Sequence, residues 1–275
     1  MLRDILRNIV LTYFPPKISF KINVWKNIES SHLEAEMPYI EKILNGIKHI
    51  DGKPISVDIG ANLGLFSYLL SRSSKNVIAI EPQPKLAAYL KKVLPANVSI
   101  LNLAISDHAG SAQMVIPKVR GLTGNSAQQD ALATIEASNP IMMQSHSDCI
   151  KVPIKTLDEI LETQSRIDFI KIDVEGHELS VLNGSKNTLS NLKPIFMIEL
   201  FKAHNPKVLD CFQLMLDCGY TCFYCTSHGI VLCPSLDSAS EIIDNPTLVD
   251  RTISNFFFIP LKKMSLIKKL FPEIE

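Results

Sequence analysis

The feature of this sequence that most limits its fold is a regular alternation of short apolar runs with amphipathic stretches, beginning near residue 55. Strands separated by helical stretches of about 10–15 residues are typical of a parallel sheet with helices on both faces. Strands are predicted in this way at residues 55–59, 76–80, 98–104, 150–154, 167–172 and 195–198. Later runs at 220–225, 230–233 and 256–259 follow one another without helices, which predicts an antiparallel strand at one edge of the sheet.

Composition supports a folded globular chain and excludes two classes of protein. Hydrophobic residues make up 46% of the 275 residues and charged residues 20%, a balance that can bury a large core. Lys and Arg number 28 and so do Asp and Glu, so a nucleic-acid binder that works by broad phosphate neutralisation is not expected. Six cysteines are too few for a small disulfide-stapled protein.

The chain divides into three parts in the sequence. Residues 1–50 are expected to form an N-terminal extension of helix and strand, residues 51–260 the α/β domain, and residues 261–275 a basic tail. Within the domain, residues 113–149 are rich in Ser, Gln, Asn and Gly, which predicts an irregular insertion or lid with one short helix.

No membrane span is expected, because no apolar run reaches the roughly 18–20 residues of a spanning helix. Residues 1–14 mix Arg3, Asp4 and Arg7 with apolar side chains, which predicts a short amphipathic helix rather than a secretory signal. Packing on the domain is the simpler role for this helix and for the basic tail. Contact with a membrane surface or a partner is the alternative.

The cysteines indicate in which cellular compartment the protein is expected. Cys222 and Cys225 have a spacing seen in zinc sites, but in a strand they would point to opposite faces. We therefore expect buried free thiols, which are typical of a reducing compartment. With no signal peptide recognised, the expected location is the cytoplasm.

Four predicted strands run directly into an acid: Asp58, Glu81, Asp173 and Glu199. Ligands of open parallel sheets bind beyond the carboxyl ends of the strands, so these acids are expected to face one crevice. The alternative for each acid alone is a helix cap or a solvated loop position.

The loop after the first strand indicates which ligand binds there. Gly60 and Gly64 allow backbone to approach a ligand at a strand-to-helix turn, and Glu81 follows seventeen residues later, where a carboxylate can accept hydrogen bonds from ribose hydroxyls. The middle glycine of the dinucleotide fingerprint is missing, and Asp58 before the loop would repel a pyrophosphate. A carboxylate there suits a cationic group, so S-adenosylmethionine is favoured over NAD.

The second cluster of polar residues is the run from Asp173 to Glu178, which includes His177. Such a cluster can position an acceptor hydroxyl and remove its proton, since crowded carboxylates and histidines titrate near neutral pH. His177 could instead start a helix, and the acids could favour its N-terminus. With Glu199 the cluster could also hold a divalent metal, but its spacing is not that of a known metal site, and no metal is expected.

The strand-end motifs together resemble the FkbM family of S-adenosylmethionine-dependent methyltransferases. The resemblance covers roughly residues 55–260 and is carried by 57–64 (VDIGANLG), 81–84 (EPQP), 104–107 (AISD) with Gly110, 173–178 (DVEGHE) and 181–184 (VLNG). It implies a Rossmann-like sheet of seven strands, mostly parallel, with the last strand antiparallel. Cofactor contacts are then expected at Asp58, Gly60, Ala61, Asn62, Gly64, Glu81, Pro82, Ala104 and Asp173.

The activity that the resemblance implies is O-methylation of a hydroxyl on a sugar, glycan or other natural product. In-line displacement would owe most of its rate to alignment, and Asp173, His177 or Glu199 would act as base. One rival interpretation is an NAD(P)-dependent oxidoreductase on the same type of sheet. The other is a cofactor-binding scaffold without catalysis, because fold alone does not decide function.

Overall fold

The computed structural model describes residues 36–118, 133–136, 146–226, 229–244 and 253–272, together with Lys17, Phe20 and Ile274. The amphipathic helix predicted at residues 1–14, most of the rest of the N-terminal extension up to residue 35 and the middle of the 113–149 segment lie outside these residues, apart from 133–136 and isolated positions. Within the described part of the chain, no helix is long and apolar enough to cross a membrane.

The first half of the domain alternates strand and helix. In chain order the elements are α1 (Met37–Asp51), β1 (Ile55–Ile59), α2 (Leu65–Ser73), β2 (Asn76–Ile80), α3 (Pro84–Val93), β3 (Val98–Leu101), β4 (Ala104–Ile105), β5 (Gly110–Lys118), β6 (His146–Lys155) and α4 (Leu157–Ile160). Apolar side chains recur at helical spacing in α1, and Ile40, Ile43, Leu44 and Ile47 are all buried.

The second half adds the strands that complete the sheet. Its elements are β7 (Phe169–Ile172), α5 (Glu178–Asn183), a π-helix (Thr188–Leu192), β8 (Ile195–Glu199), α6 (Val208–Asp217), β9 (Tyr220–Thr226), β10 (Gly229–Cys233), α7 (Leu236–Asp244), β11 (Asn255–Pro260), a 3-10 turn (Leu261–Lys263) and α8 (Met264–Leu270). Thr156 caps α4 through a reciprocal hydrogen-bond pair with Glu159, as the Thr-x-x-Glu pattern predicts.

The main sheet has the order β10-β9-β11-β8-β7-β1-β2-β3. Strands β3, β2, β1, β7 and β8 pair in parallel, which confirms the predicted α/β fold with a mostly parallel sheet. Two details of the prediction are wrong: the sheet has eight strands instead of seven, and its antiparallel strands are not confined to one edge. Strand β11 lies inside the sheet, antiparallel to both β8 and β9, and the β9–β10 hairpin adds the eighth strand.

A smaller sheet of order β4-β6-β5 accounts for the other differences between the predicted strands and those of the structure. The strand predicted at 98–104 divides into β3 and β4, and the strand predicted at 150–154 belongs to β6, which pairs with β5 over nine residue pairs. The two ends of the 113–149 segment are therefore strand rather than irregular. That this segment is an insertion or lid stays a prediction.

Both faces of the main sheet are covered. Alternate residues of one strand enter different cores: Phe256 and Phe258 of β11 join one buried cluster, and Phe257 joins the other, which also contains the apolar side of α1. Cys222 and Cys225 divide between the two clusters in the same way, as buried free thiols. Two-sided burial is what the continuous apolar strands predict.

Candidate active site

A cleft opens beyond the carboxyl ends of β1, β2 and β7. It encloses about 570 Å³ of space, open solvent at its mouth included. We call it the main cleft. The predicted cofactor residues that line it are Gly60, Asn62, Glu81, Pro82, Ala104 and Asp173, while Asp58, Ala61 and Gly64 are not among the lining residues. Of the predicted bases, Asp173 and His177 line it.

The loop after β1 is tight against the loop after β7. Gly60 has a φ of 81°, and a Cβ atom built there would lie 1.8 Å from the carbonyl oxygen of Asp173. Only glycine fits this position, because a side chain would clash with backbone and would adopt a strained conformation. The close approach brings the end of β1 and the end of β7 to the same wall of the cleft.

Glu81 is fixed by backbone at the end of β2. Its carboxylate accepts hydrogen bonds from the backbone N–H of Asn62 and that of Gln83, each at 2.8 Å, and the residue is 3% exposed. A carboxylate that accepts such bonds has its direction set before any ligand arrives. Glu81 therefore presents a preoriented negative group to the cleft.

Asn62 has a polar atom without a partner in the described part of the chain. The residue lines the main cleft, and its Oδ1 is buried and accepts no hydrogen bond from the described residues. Its backbone φ is 48°, an uncommon conformation for a residue with a side chain. A buried acceptor without a donor is costly, so this oxygen is suited to a donor supplied by a ligand.

Asp58 lies beneath the cleft rather than in its wall. It is fully buried and accepts a 2.5 Å hydrogen bond from the hydroxyl of Ser67 on α2. Burial raises the pKa of Asp58, and the neighbouring Lys171 on β7 partly offsets this shift. Direct contact between Asp58 and a cofactor stays a prediction, because the carboxylate is not among the groups that line the cleft.

Lys171 links the two acids of the central strands. It is 3% exposed, its Nζ lies 2.8 Å from Oδ2 of Asp173, and it also sits 4.2 Å from the ring centre of Phe66. Burial acts to raise the pKa of Asp173, but Lys171 and a hydrogen bond with Glu199 outweigh it, so that the pKa is lowered. Asp173 is therefore held as an anion at the boundary of the cleft.

His177 connects two segments of the site through its two ring nitrogens. Its Nε2 lies 2.9 Å from the hydroxyl of Ser106, and its Nδ1 lies 3.0 Å from Oε2 of Glu136. Burial lowers its pKa, although Glu136 acts in the opposite direction. Since both ring nitrogens are engaged, His177 joins the end of β4 to the 133–136 segment across the main cleft.

Glu199, the remaining predicted base, lines a second cleft of about 190 Å³. This second cleft shares Asp173 and Glu175 with the main cleft and is also lined by Glu178, His204 and Asn205. Glu178 accepts from the backbone N–H of Gly176 at 2.9 Å and from the side chain of Asn205 at 2.6 Å. In the described residues, no group of three or more His, Cys, Asp or Glu side chains is arranged to hold a metal ion.

Glu178 should make stability depend on pH. Burial raises its pKa from 4.5 to about 7, so the folded protein holds this proton more tightly than the unfolded chain does. The resulting stability is complete below pH 4.5 and is lost as the pH rises towards 7. When the pH rises from 5 to 8, the free energy of unfolding of wild type should fall by about 2 kcal/mol relative to that of Glu178→Gln. Urea denaturation of both proteins measures it. An unchanged difference between the two proteins would contradict the assignment.

Several residues of the site were not predicted from the sequence. Lys171 could have been found, because a lysine inside the apolar run of β7 needs a buried partner. Glu136, His204 and Asn205 carry no motif, and they reach the clefts through loops that approach from distant parts of the chain.

Comparisons with known proteins show what this chain is similar to. The family model "Methyltransferase FkbM domain" matches residues 58–222. Methyltransferase sdnD of Sordaria araneosa is 29% identical, with 56% of this chain and 70% of that protein covered. Hexuronic acid methyltransferase AglP of Haloferax volcanii is 28% identical, with 64% of this chain and 66% of that protein covered. The chain thus spans about two thirds of the length of these relatives. A methyltransferase FkbM structure from Methylobacillus flagellatus KT has a TM-score of 0.46 at 16% identity, with 93% of this chain and 59% of that chain covered.

Proposed function

This chain belongs to the FkbM methyltransferase family, and we propose that it transfers a methyl group from S-adenosylmethionine to an oxygen of a sugar, glycan or other natural product. The observation that carries the proposal is the buried carboxylate of Glu81, held by two backbone N–H groups at the wall of the main cleft. A carboxylate in this position at the end of the second strand suits the hydroxyls of a ribose.

The chemistry of the main cleft fits the cofactor along its length. Beside Glu81 the lining is apolar and suits a planar base: Ile80, Leu103, Ile105, Met114 and Ile135. At the end of β7, Asp173 presents a negative charge, and Asn62, whose backbone N–H bonds to Glu81, has an Oδ1 that is unpartnered in the described residues and offers an acceptor. Both suit the cationic methionine part of the cofactor. When bound, S-adenosylmethionine supplies an electrophilic methyl group on a sulfonium.

The 113–149 segment is proposed to form part of the wall of the site. Ala133, Thr134 and Ile135 line the main cleft, and Glu136 bonds to His177. These contacts would exclude water from the reacting atoms, which strengthens the electrostatic interactions in the cleft. The segment thereby supports the proposal that residues 113–149 act as an insertion over the active site.

A sugar derivative as the acceptor is supported by the relative named a hexuronic acid methyltransferase. The acidic residues of the second cleft also suit hydroxyl groups, because carboxylates accept hydrogen bonds from them. An NAD(P)-dependent oxidoreductase is disfavoured, since Asn62 replaces the middle glycine of the phosphate-binding loop. A cofactor-binding protein without catalysis would have the same main cleft. A measurement of methyl transfer distinguishes it from a methyltransferase.

Calorimetric titration with S-adenosylhomocysteine, NAD and NADP tests the cofactor half of the proposal. We expect saturable one-site binding of S-adenosylhomocysteine and no heat from either nicotinamide cofactor. The same ligand should raise the melting temperature, because it binds only the folded state. Binding of NAD or NADP in place of S-adenosylhomocysteine, by a folded sample, would overturn the proposal.

A further inference from the structure

The second cleft adjoins the place where the methyl group is expected, because Asp173 and Glu175 border both clefts. We propose that the second cleft receives a hydroxyl of a neutral polyhydroxylated acceptor, and that His204, oriented by Glu175, is the base that removes its proton. The proposal rests on the methyltransferase function above. It identifies a base that the sequence motifs do not contain.

The geometry of the His204–Glu175 pair is that of an oriented base. Nδ1 of His204 lies 2.7 Å from Oε2 of Glu175, and the two side chains are 22% and 17% exposed. A carboxylate accepts but does not donate, so Nδ1 carries the hydrogen of the neutral ring. Nε2 is then the nitrogen that can take a proton from an acceptor bound in the second cleft.

The surrounding structure holds both members of the pair in place. Glu175 has a φ of 51°, a strained conformation that is found mainly where the surrounding structure enforces it. The ring of His204 packs edge-on against Phe201, with ring centres 5.0 Å apart and planes at 87°. His204 itself lies in a turn, in which its backbone N–H and that of Asn205 both donate to the carbonyl of Phe201. The backbone of Glu175 and the ring of His204 are therefore positioned before a substrate binds.

The three bases predicted from the sequence are less suitable. Both ring nitrogens of His177 are engaged, by Ser106 and by Glu136. Asp173 is bound by Lys171 and hydrogen-bonded with Glu199, and the lowered pKa of Asp173 makes it a weak base. Glu199 is itself committed to that hydrogen bond.

Charge in the second cleft favours both a basic histidine and a neutral acceptor. The hydrogen bond to Glu175 raises the pKa of His204, burial acts against it, and the charges of Glu175, Glu178 and Asp173 raise it further. Among the described residues that line the second cleft, Glu199 is the remaining ionisable group besides these three acids and His204, and Lys171 neutralises Asp173. Acids on several sides would repel an anionic acceptor and accept hydrogen bonds from neutral hydroxyls.

The O–H bond of the acceptor breaks and its proton goes to Nε2 of His204, giving an imidazolium paired with Glu175. The oxygen electron pair forms the new bond to the methyl carbon, and the pair of the methyl–sulfur bond stays on sulfur, so that S-adenosylhomocysteine leaves. The imidazolium then returns its proton to water.

The test measures transfer of tritiated methyl from S-adenosylmethionine to a panel of neutral methyl glycosides and the matching uronic acids. Variants His204→Gln and Glu175→Gln are compared with His49→Gln, which changes an exposed histidine on α1. We expect transfer to neutral glycosides and a fall in kcat of roughly 10²–10⁴-fold in His204→Gln, with the Kd for S-adenosylhomocysteine within about twofold of wild type. In wild type, kcat should rise with pH as His204 loses its proton, and His204→Gln should lack this rise.

Glu175 is a positioning residue, so Glu175→Gln should move that rise to lower pH as well as lower kcat. Nitrogen-15 NMR of the imidazoles gives a readout independent of turnover: neutral His204 should be the Nδ1–H tautomer, and its pKa should fall in Glu175→Gln. Failure of wild type to bind S-adenosylhomocysteine would contradict the proposed function itself.

Three results would overturn the inference while leaving the methyltransferase intact. The first is normal kcat and an unchanged pH profile in His204→Gln. The second is the Nε2–H tautomer of His204. The third is a product that is a base-labile methyl ester of a uronic acid, since a carboxylate is already deprotonated and needs no base.

Discussion

Glu81→Ala should weaken binding of S-adenosylhomocysteine by roughly 10²–10⁴-fold, since hydrogen bonds to a charged group contribute about 1.5–3 kcal/mol each and a ribose offers two hydroxyls. The substitution also removes the acceptor for the backbone N–H groups of Asn62 and Gln83, which loosens the loop after β1. Titration calorimetry measures the loss directly.

The matched control for this prediction is Glu162→Ala, which removes an exposed glutamate near the opposite end of β7. It should bind S-adenosylhomocysteine as wild type does. Glu81→Gln separates the two roles of Glu81, because its side-chain carbonyl can still accept one backbone bond while the charge is gone. Affinity within threefold of wild type in Glu81→Ala would remove Glu81 from the site.

Lys171→Met should destabilise the fold by about 3–5 kcal/mol, the usual cost of removing one partner from a buried ion pair. Lys171 is the cation beside the fully buried Asp58 and holds Asp173 at 2.8 Å, so its loss leaves two acids without their compensating charge. Both acids then have raised pKa values in the folded state, which makes the loss greater at pH 8 than at pH 5. Urea denaturation at the two pH values measures it.

Lys151→Met is the matched control, because it makes the same substitution at an exposed lysine of a strand, β6. It should change stability by less than about 0.5 kcal/mol. Adding Asp58→Asn to Lys171→Met should recover part of the lost stability, since one of the uncompensated charges is removed. A Lys171→Met protein as stable as wild type at pH 8 would mean that the buried acids are already protonated.

The central strands could be predicted because their signal is local. β1, β2, β7 and β8 are short and mostly apolar, each has an acid at or near its carboxyl end, and each is recognisable without knowing its neighbours. The position of β11 could not be predicted in the same way, because pairing with β8 and β9 depends on contacts far apart in sequence. The smaller sheet was missed for the same reason: its strands β5 and β6 flank a segment whose composition indicates loop.

The site shows the same division between local and distant signals. Gly60, Glu81 and Asp173 follow strands, and the edge of a parallel sheet brings such residues together. The side-chain direction of Asp58 was not evident, because alternation along β1 turns it towards α2 and away from the cleft. His204 comes from the loop after β8, where only the folded chain shows that Glu175 is its partner.

The interior position of β11 has a consequence for how the protein is made. Ribosomes produce residues 220–233 before residues 255–260, yet among the described strands β9 and β10 connect to the rest of the sheet through β11 alone. Until β11 emerges, the outer edge of β8 is an open template for pairing with other chains. Completion of the sheet therefore waits for β11 to be translated, and a chain truncated before residue 255 should be a substrate for chaperones rather than a folded protein.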